Sequence, residues 1–478
     1  MTATADGVGL RSTRGPVLLA TMLSTGLVAI DATIIATAIP SVVADLGGFT
    51  QAPWLFSGYL LAQAATVPIY GKLADNIGRK PVMLAGILLF LAGSVLCAVA
   101  PGMLPLIAGR VVQGLGAGAV MPMAQTIVGD IYTLQERAKV QGYMASVWAI
   151  SSVVGPTLGG FFTTYLDWRW IFWVNLPLGA VALWLMRRFH ESHERTRRRI
   201  DVVGALLLTT GSALLILWLL EGGVRWDWLS APSAALLVGG VALLVAFALA
   251  QRRAADPVLP GWLFRRRLLT TTNVVSLLVG ALLVGLTAYV PTFAQTVLGQ
   301  DPLVAGFALA ALTLGWPIAA SQSGRFYLTL GFKATALIGS AIAVVGTILL
   351  DLAAHSTSVL FIAGACFAIG LGLGLVATPT LIAAQASVEA STRGVVTGAN
   401  MFARSLGSAF GVAIFGAFVN AAVVAGGDLE DLPARLLAPA LQHVFLGVTT
   451  AALLLLVAVT LMPNDFRPRS NGQHPERT

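Results

Sequence analysis

PVLLATMLSTGLVAIDATIIATAIP, from Pro16 to Pro40, contains one charged side chain, Asp31, and follows Arg11 and Arg14. A bilayer-crossing helix needs about 20 predominantly apolar residues, so this stretch predicts a membrane span. Its apolar run is too long for a cleaved signal peptide, and it is expected to remain as the first span. The rest of the 478-residue chain is of the same kind, 57% hydrophobic and only 10% charged. A water-soluble chain carries about a quarter charged residues. Lipid is therefore the predicted solvent for most of the molecule. The net charge of +8 does not imply a nucleic-acid partner, because the basic residues sit in short segments between apolar runs. Such placement sets orientation in a membrane.

Apolar stretches near 16–39, 53–71, 82–100, 104–128, 139–163 and 171–187 predict six spans. Two follow near 202–220 and 232–251, and six more near 270–295, 304–323, 333–353, 358–384, 395–422 and 439–461. The expected fold is an all-α integral membrane protein with fourteen transmembrane helices. Of the 29 Lys and Arg, Arg110 and Arg404 fall within spans. With the amino terminus in the cytoplasm, only Arg169, Arg225 and Arg435 lie on the far side, which leaves 29 − 2 − 3 = 24 on the cytoplasmic side. Both termini are therefore expected in the cytoplasm, with the chain multi-pass in the cell membrane. Cys97 and Cys366 stand in apolar stretches without metal-ligand spacing and read as small buried residues.

The chain repeats itself at an offset of about 255 residues, a pattern transporter folds carry. Gly142, Gly155 and Gly160 match Gly398, Gly411 and Gly416, while Gly114, Gly116 and Gly118 match Gly370, Gly372 and Gly374. The loop GKLADNIG (Gly71–Gly78) has a worn copy in GRFYLTLG (Gly324–Gly331). These matches predict two pseudo-symmetric six-helix bundles, at 1–190 and 261–478, with a basic linker and a two-helix insert at 191–260. A substrate site is expected where the bundles meet near the midplane, exposed to each side in turn as they rock.

The motifs resemble the major facilitator superfamily, in its fourteen-helix drug:proton antiporter branch. GKLADNIGRK (Gly71–Lys80) resembles the superfamily's loop signature between helices 2 and 3, with Asn76 where a basic residue is usual. Leu106, Arg110, Gln113 and Gly114 resemble the helix 4 motif of proton-driven members. Gly142 and GPTLGG (Gly155–Gly160) resemble the antiporter motif of helix 5, with Ser151 in place of a glycine. DATIIATAIP (Asp31–Pro40) and WRWIFWVNLP (Trp168–Pro177) complete the set. The resemblance implies proton-coupled export of small lipophilic or cationic compounds, with no cofactor and with function as a monomer.

Asp31 is the acidic residue that falls well inside a span, where burying a carboxylate costs at least ~2.5 kcal/mol. It is expected to face a cavity or a partner and to carry the proton; the bland alternative is a structural ion pair. Arg110, within helix 4, is the expected partner, its alternative being an arginine that snorkels to the interface. The resemblance implies a gate built by Gly71, Asp75, Gly78, Arg79, Lys80 and Asp130. In it, Asp75 sits at a helix N-terminus of the other bundle and Arg79 pairs with Asp130. Gly142, Gly155, Pro156, Gly159 and Gly160 make helix 5 a place to bend or to pack on the facing bundle. Tyr59, Gln63, Gln125, Asn273, Trp316, Asn400 and Phe402 are candidates to line the substrate cavity, or to bond a neighbouring helix instead. A dedicated exporter of one antibiotic, metabolite or lipid fits the same residues, as does, less well, a non-transporting scaffold or sensor. An intramembrane enzyme would need paired carboxylates, a metal set or an activated nucleophile within the spans. No such set, no metal site and no ATP-binding loop is read in the sequence.

Overall fold

The computed structural model describes residues 8–464 apart from 48–50, 53, 190, 192–200, 224, 255, 301, 354–357 and 427–433. The described residues form helix after helix and no named strand. The first half of the chain holds α1 (Gly15–Leu46), α2 (Trp54–Ile77), α3 (Arg79–Ala98), α4 (Met103–Ile131), α5 (Leu134–Tyr165), α6 (Trp170–Trp173) and α7 (Asn175–Met186). Next come α8 (Val202–Glu221), α9 (Ala231–Gln251) and the short α10 (Trp262–Arg265). The second half holds α11 (Arg267–Thr296), α12 (Pro302–Thr329), α13 (Phe332–Ala353), α14 (Val359–Ala386), α15 (Arg393–Gly426) and α16 (Ala434–Thr460).

Twelve of these helices are long and apolar enough to cross a membrane, against the fourteen expected. The two that fall short have identifiable reasons. The second expected span, α2, is long but carries Gln63, Lys72, Asp75 and Asn76, a composition suited to packing inside protein. The sixth, Trp170–Met186, is apolar but short. Its chain is interrupted at Val174, and Pro177 stands in the first turn of α7, where a missing N–H costs little.

Glycines let the helices approach closely. In α4, Gly114 and Gly118 lie on α2 while Gly116 lies on α3, where an added Cβ would fall 2.5 Å from Phe90 N. In α14, Gly370 and Gly374 lie on α12 and Gly372 on α13, the same arrangement one repeat later. Helices α1–α7 pack mainly on one another, as do α11–α16. The two sets meet along two seams, α2 with α15 and α5 with α12. Because α2 corresponds to α12 and α5 to α15 in the repeat, these seams are one contact made twice. Gly71 abuts Gly394 in the first seam, and Gly324 abuts Ala138 in the second. The hairpin α8–α9 sits beside only one of them: Ile216 and Leu219 of α8 cluster with Ala64 of α2 and with Ala409 and Ala413 of α15.

Candidate functional site: a buried ion pair and a polar latch

Asp31 and Arg110 meet inside the first half, 1% and 0% exposed. Arg110 Nη1 donates to Asp31 Oδ2 at 2.5 Å and to Gln113 Oε1 at 2.8 Å. Asp31 Oδ1 accepts from Gln113 Nε2 at 3.1 Å and from Asn175 Nδ2 at 3.0 Å. Ser94 Oγ accepts from both amides, at 2.8 and 3.3 Å. Arg110 Nε donates to the Leu55 carbonyl at 3.0 Å, and its guanidinium lies over the Tyr59 ring, 4.4 Å from the centroid. Five helices thus converge on one carboxylate: α1 brings Asp31, α2 Leu55 and Tyr59, α3 Ser94, α4 Arg110 and Gln113, and α7 Asn175. Arg110 and Gln113 reach the same carboxylate because residues three apart share a helix face. A guanidinium keeps its charge at any physiological pH, and here its compensating partner is Asp31. Asp31 has a partner rather than an open cavity beside it.

Gln113 and Asn175 stand in motifs that carry the family resemblance but have no role of their own there, and Ser94 stands in none. The spacing of Gln113 from Arg110 was a usable signal, and Asn175 opens the helix that follows the Trp168–Trp173 turn. Nothing in the sequence distinguishes Ser94 from other small polar residues in spans.

A second polar cluster joins the halves at the end of the bundle that carries the α2–α3 loop. Asp75 Oδ1 accepts from Gly394 N at 2.9 Å and Oδ2 from Val395 N at 2.8 Å. The carboxylate therefore sits on the first turn of α15, where free N–H groups and the helix dipole favour an anion. Arg79 pairs with Asp75 at 3.0 Å and with Asp130 at 2.9 Å, and also donates to the Ala390 carbonyl. Arg393 pairs with Asp130 at 2.8 Å from across the seam. Gly78 has a φ of +103°, a conformation that favours glycine, and turns the chain into α3. Glu191 accepts from the first two amides of α3, Arg79 N and Lys80 N, at 2.6 and 3.0 Å. Lys80 Nζ donates to the carbonyls of Arg187 and Phe189 just beyond α7, at 2.8 and 2.7 Å. Lys72 Nζ is 2.5 Å from Asp256. At the opposite end, hydrogen bonds from Trp168 and Arg169 hold the Asp45 carboxyl below its ordinary range.

The other expected residues are less concentrated. Gly142 faces Ser321 of α12 across the second seam. Gly155 and Gly159, expected to offer close packing to the facing bundle, instead seat Thr33 and Thr37 of α1 within their own half. Thr33 Oγ1 donates to the Ser151 carbonyl at 3.0 Å, so the residue standing where a glycine is usual still bonds α1 through its backbone. Pro156 lies within the continuous α5, and Gly160 has open space where a side chain would be. Asn400, a candidate cavity residue, is buried between α15 and α11. It accepts from Ser276 Oγ at 3.0 Å and donates to the Thr272 carbonyl at 3.1 Å. Tyr59 is likewise buried beneath Arg110. Gln125 accepts from Gln141 at 3.4 Å. Gln63, Asn273, Trp316 and Phe402 are half-buried, and Trp316 faces Arg404.

Residues 21–412 match the Major Facilitator Superfamily. The chain is 35% identical over 408 residues to the "Multidrug transporter protein MdtP" of Bacillus subtilis, covering 84% of this chain and 75% of that one. It is 35% identical over 401 residues to "Multidrug resistance protein 3" of the same organism, covering 84% and 78%. It is also 33% identical over 420 residues to "Efflux pump FUS6" of Gibberella fujikuroi, covering 84% and 75%. Among solved structures, the "human organic anion transporter MFSD10 (TETRAN)" superposes with a TM-score of 0.68 over 94% of this chain and 100% of that one. At 14% identity that likeness speaks to the fold alone. With a family match across most of its length and relatives of this similarity, the chain belongs to the major facilitator superfamily and is a membrane transporter.

Proposed function

We propose that this transporter exports small lipophilic compounds from the cytoplasm in exchange for protons, with Asp31 as the proton carrier. The observation that supports this most directly is the Asp31–Arg110 contact of 2.5 Å between two fully enclosed side chains. Neutralising one partner of such a pair leaves the other charge buried, which costs about 3–5 kcal/mol. Protonation of Asp31 therefore favours any rearrangement that brings Arg110 to water or another anion, and deprotonation favours the arrangement seen here. The pair links α1 to α4, so a change in it strains the packing of the whole first half. That is the two-state coupling alternating access requires.

The names of the curated relatives support efflux and a broad substrate range. The distribution of Lys and Arg supports cytoplasmic termini in the cell membrane, and the packing supports bundles at 1–190 and 261–478 around an insert. In that orientation the Asp75–Arg79–Asp130–Arg393 cluster holds the cytoplasmic side shut. The gradient supplies the energy, the working unit is a monomer, and no cofactor takes part.

The test is substrate-driven proton release in everted membrane vesicles, read with a pH-sensitive dye. A panel of anionic, neutral and cationic lipophilic compounds serves as substrate. Asp31→Asn is expected to abolish proton release while leaving binding measurable; normal coupling in that variant sinks the assignment.

A further inference from the structure

Arg404 is a cation in the middle of the membrane that pairs with no acid among the described residues. It stands eleven residues after Arg393, which opens α15, so it lies about 16 Å along the helix at 1.5 Å per residue. Its backbone carbonyl is pressed against Gly280 of α11. Its side chain leaves that contact and meets the Trp316 ring of α12, the guanidinium carbon 5.9 Å from the ring centroid. Arg404 Nε is enclosed and has no hydrogen-bond partner in the protein. Among the described residues, ion pairs occupy Arg14, Lys72, Arg79, Arg110, Arg169 and Arg393, and none involves Arg404. Asp31, the intramembrane carboxylate, is held by Arg110 in the other half.

The position matters as much as the charge. Helices α12 and α15 do not pack extensively on each other. They are the two seam helices of the second half, one facing α5 and the other α2. A side-chain contact between them therefore crosses the space between the seams, where the exporter reading puts the substrate path. An arginine there keeps its charge, and a charge at this depth calls for a compensating partner. An indole face supplies only part of one.

We propose that Arg404 and Trp316 form the recognition site for an anionic amphiphile: a compound with one carboxylate or sulfonate attached to an aromatic or apolar body. The guanidinium takes the acid group through paired N–H donors, and the indole takes the apolar body. This rests on the reading of the chain as an exporter and specifies its substrate class. Cations are disfavoured, because they meet Arg404 unshielded and find Asp31 already neutralised.

The experiment is equilibrium binding by titration calorimetry to the full-length protein in lipid nanodiscs, with empty nanodiscs subtracted. The probes are 2-naphthylacetate, its neutral amide and 2-naphthylethylamine. Wild type is expected to bind the carboxylate at least about tenfold more tightly than the amide, the ratio expected of a hydrogen-bonded charge. Arg404→Gln is expected to remove that preference, and its thermal unfolding in the same nanodiscs, compared with wild type, shows whether the variant is folded. Arg404→Lys is expected to retain part of the preference. Equal carboxylate binding by wild type and Arg404→Gln, or a wild-type preference for the amine, overturns the proposal. Proton release tests the exporter reading separately: Asp31→Asn should abolish coupling with a neutral substrate whatever the calorimetry shows at Arg404.

Discussion

Helices α4 and α14 occupy equivalent places in the two halves and share a glycine pattern, yet their chemistry differs. At the offset of 256 that relates Gly114 to Gly370, Arg110 corresponds to Cys366 and Gln113 to Ile369. The first pair of positions holds the buried carboxylate network; the second lies within the apolar core of the second half. The seams repeat this contrast. Asp75 and Arg79 correspond, at the loop's offset of 253, to Leu328 and Phe332, while Gly78 and Gly331 both keep a positive φ, +103° and +89°. In the second seam the polar contact among the described residues is a hydrogen bond from Tyr327 Oη to the Leu134 carbonyl at 3.1 Å, with the Tyr327 ring stacked on Phe332. The duplicated glycines preserve how the helices approach, whereas the buried carboxylates Asp31 and Asp75 and their arginines Arg110 and Arg79 all come from the first half. A buried ion pair is seldom a net stabiliser against an apolar core of the same shape, so its retention in one half points to work rather than to stability.

That contrast can be broken at several points. Arg110→Met leaves Asp31 buried without its cation and should cost about 3–5 kcal/mol, whereas Cys366→Ala at the equivalent place should cost far less; thermal unfolding in detergent compares them. Asp75→Asn weakens a charged acceptor of two backbone amides, at about 1.5–3 kcal/mol per bond to a charge. Faster hydrogen exchange in the first turn of α15 is the expected sign, and Leu328→Ala should leave the equivalent turn of α5 unchanged. Tyr327→Phe removes one neutral hydrogen bond, worth about 0.5–1.5 kcal/mol, and should speed exchange at the start of α5 only slightly.

The ion pair was legible because charge is scarce in this chain: Asp31 and Arg110 stand out in spans with almost no others. Asp75 and Arg79 of the latch were legible because they stand in a short loop of recognisable pattern, whereas Arg393, which reaches Asp130 from the other half, carried no such signal. The facing of individual helices was not. Gly155 and Gly159 turn toward α1, and Asn400 toward α11, although nothing in their own helices dictates it. In a membrane, the neighbouring helix, the lipid and an apolar cavity wall all accept the same side chains, so a span's hydrophobic pattern does not say which face meets which. Arg404 was visible as an intramembrane charge, but that no acid among the described residues reaches it emerges only when the surrounding helices are in place. The shortfall in α2 has the same origin, because a helix sheltered by protein can carry Lys72 and Asp75 and cease to look like a span.

The α8–α9 hairpin gives the molecule two unlike flanks. Ile216 and Leu219 cover the seam of α2 and α15, while the seam of α5 and α12 has no equivalent cover among the described residues. A framework that its repeat would make alike on both sides is therefore lopsided in the bilayer: one seam is shielded from lipid by α8, and the other meets it directly.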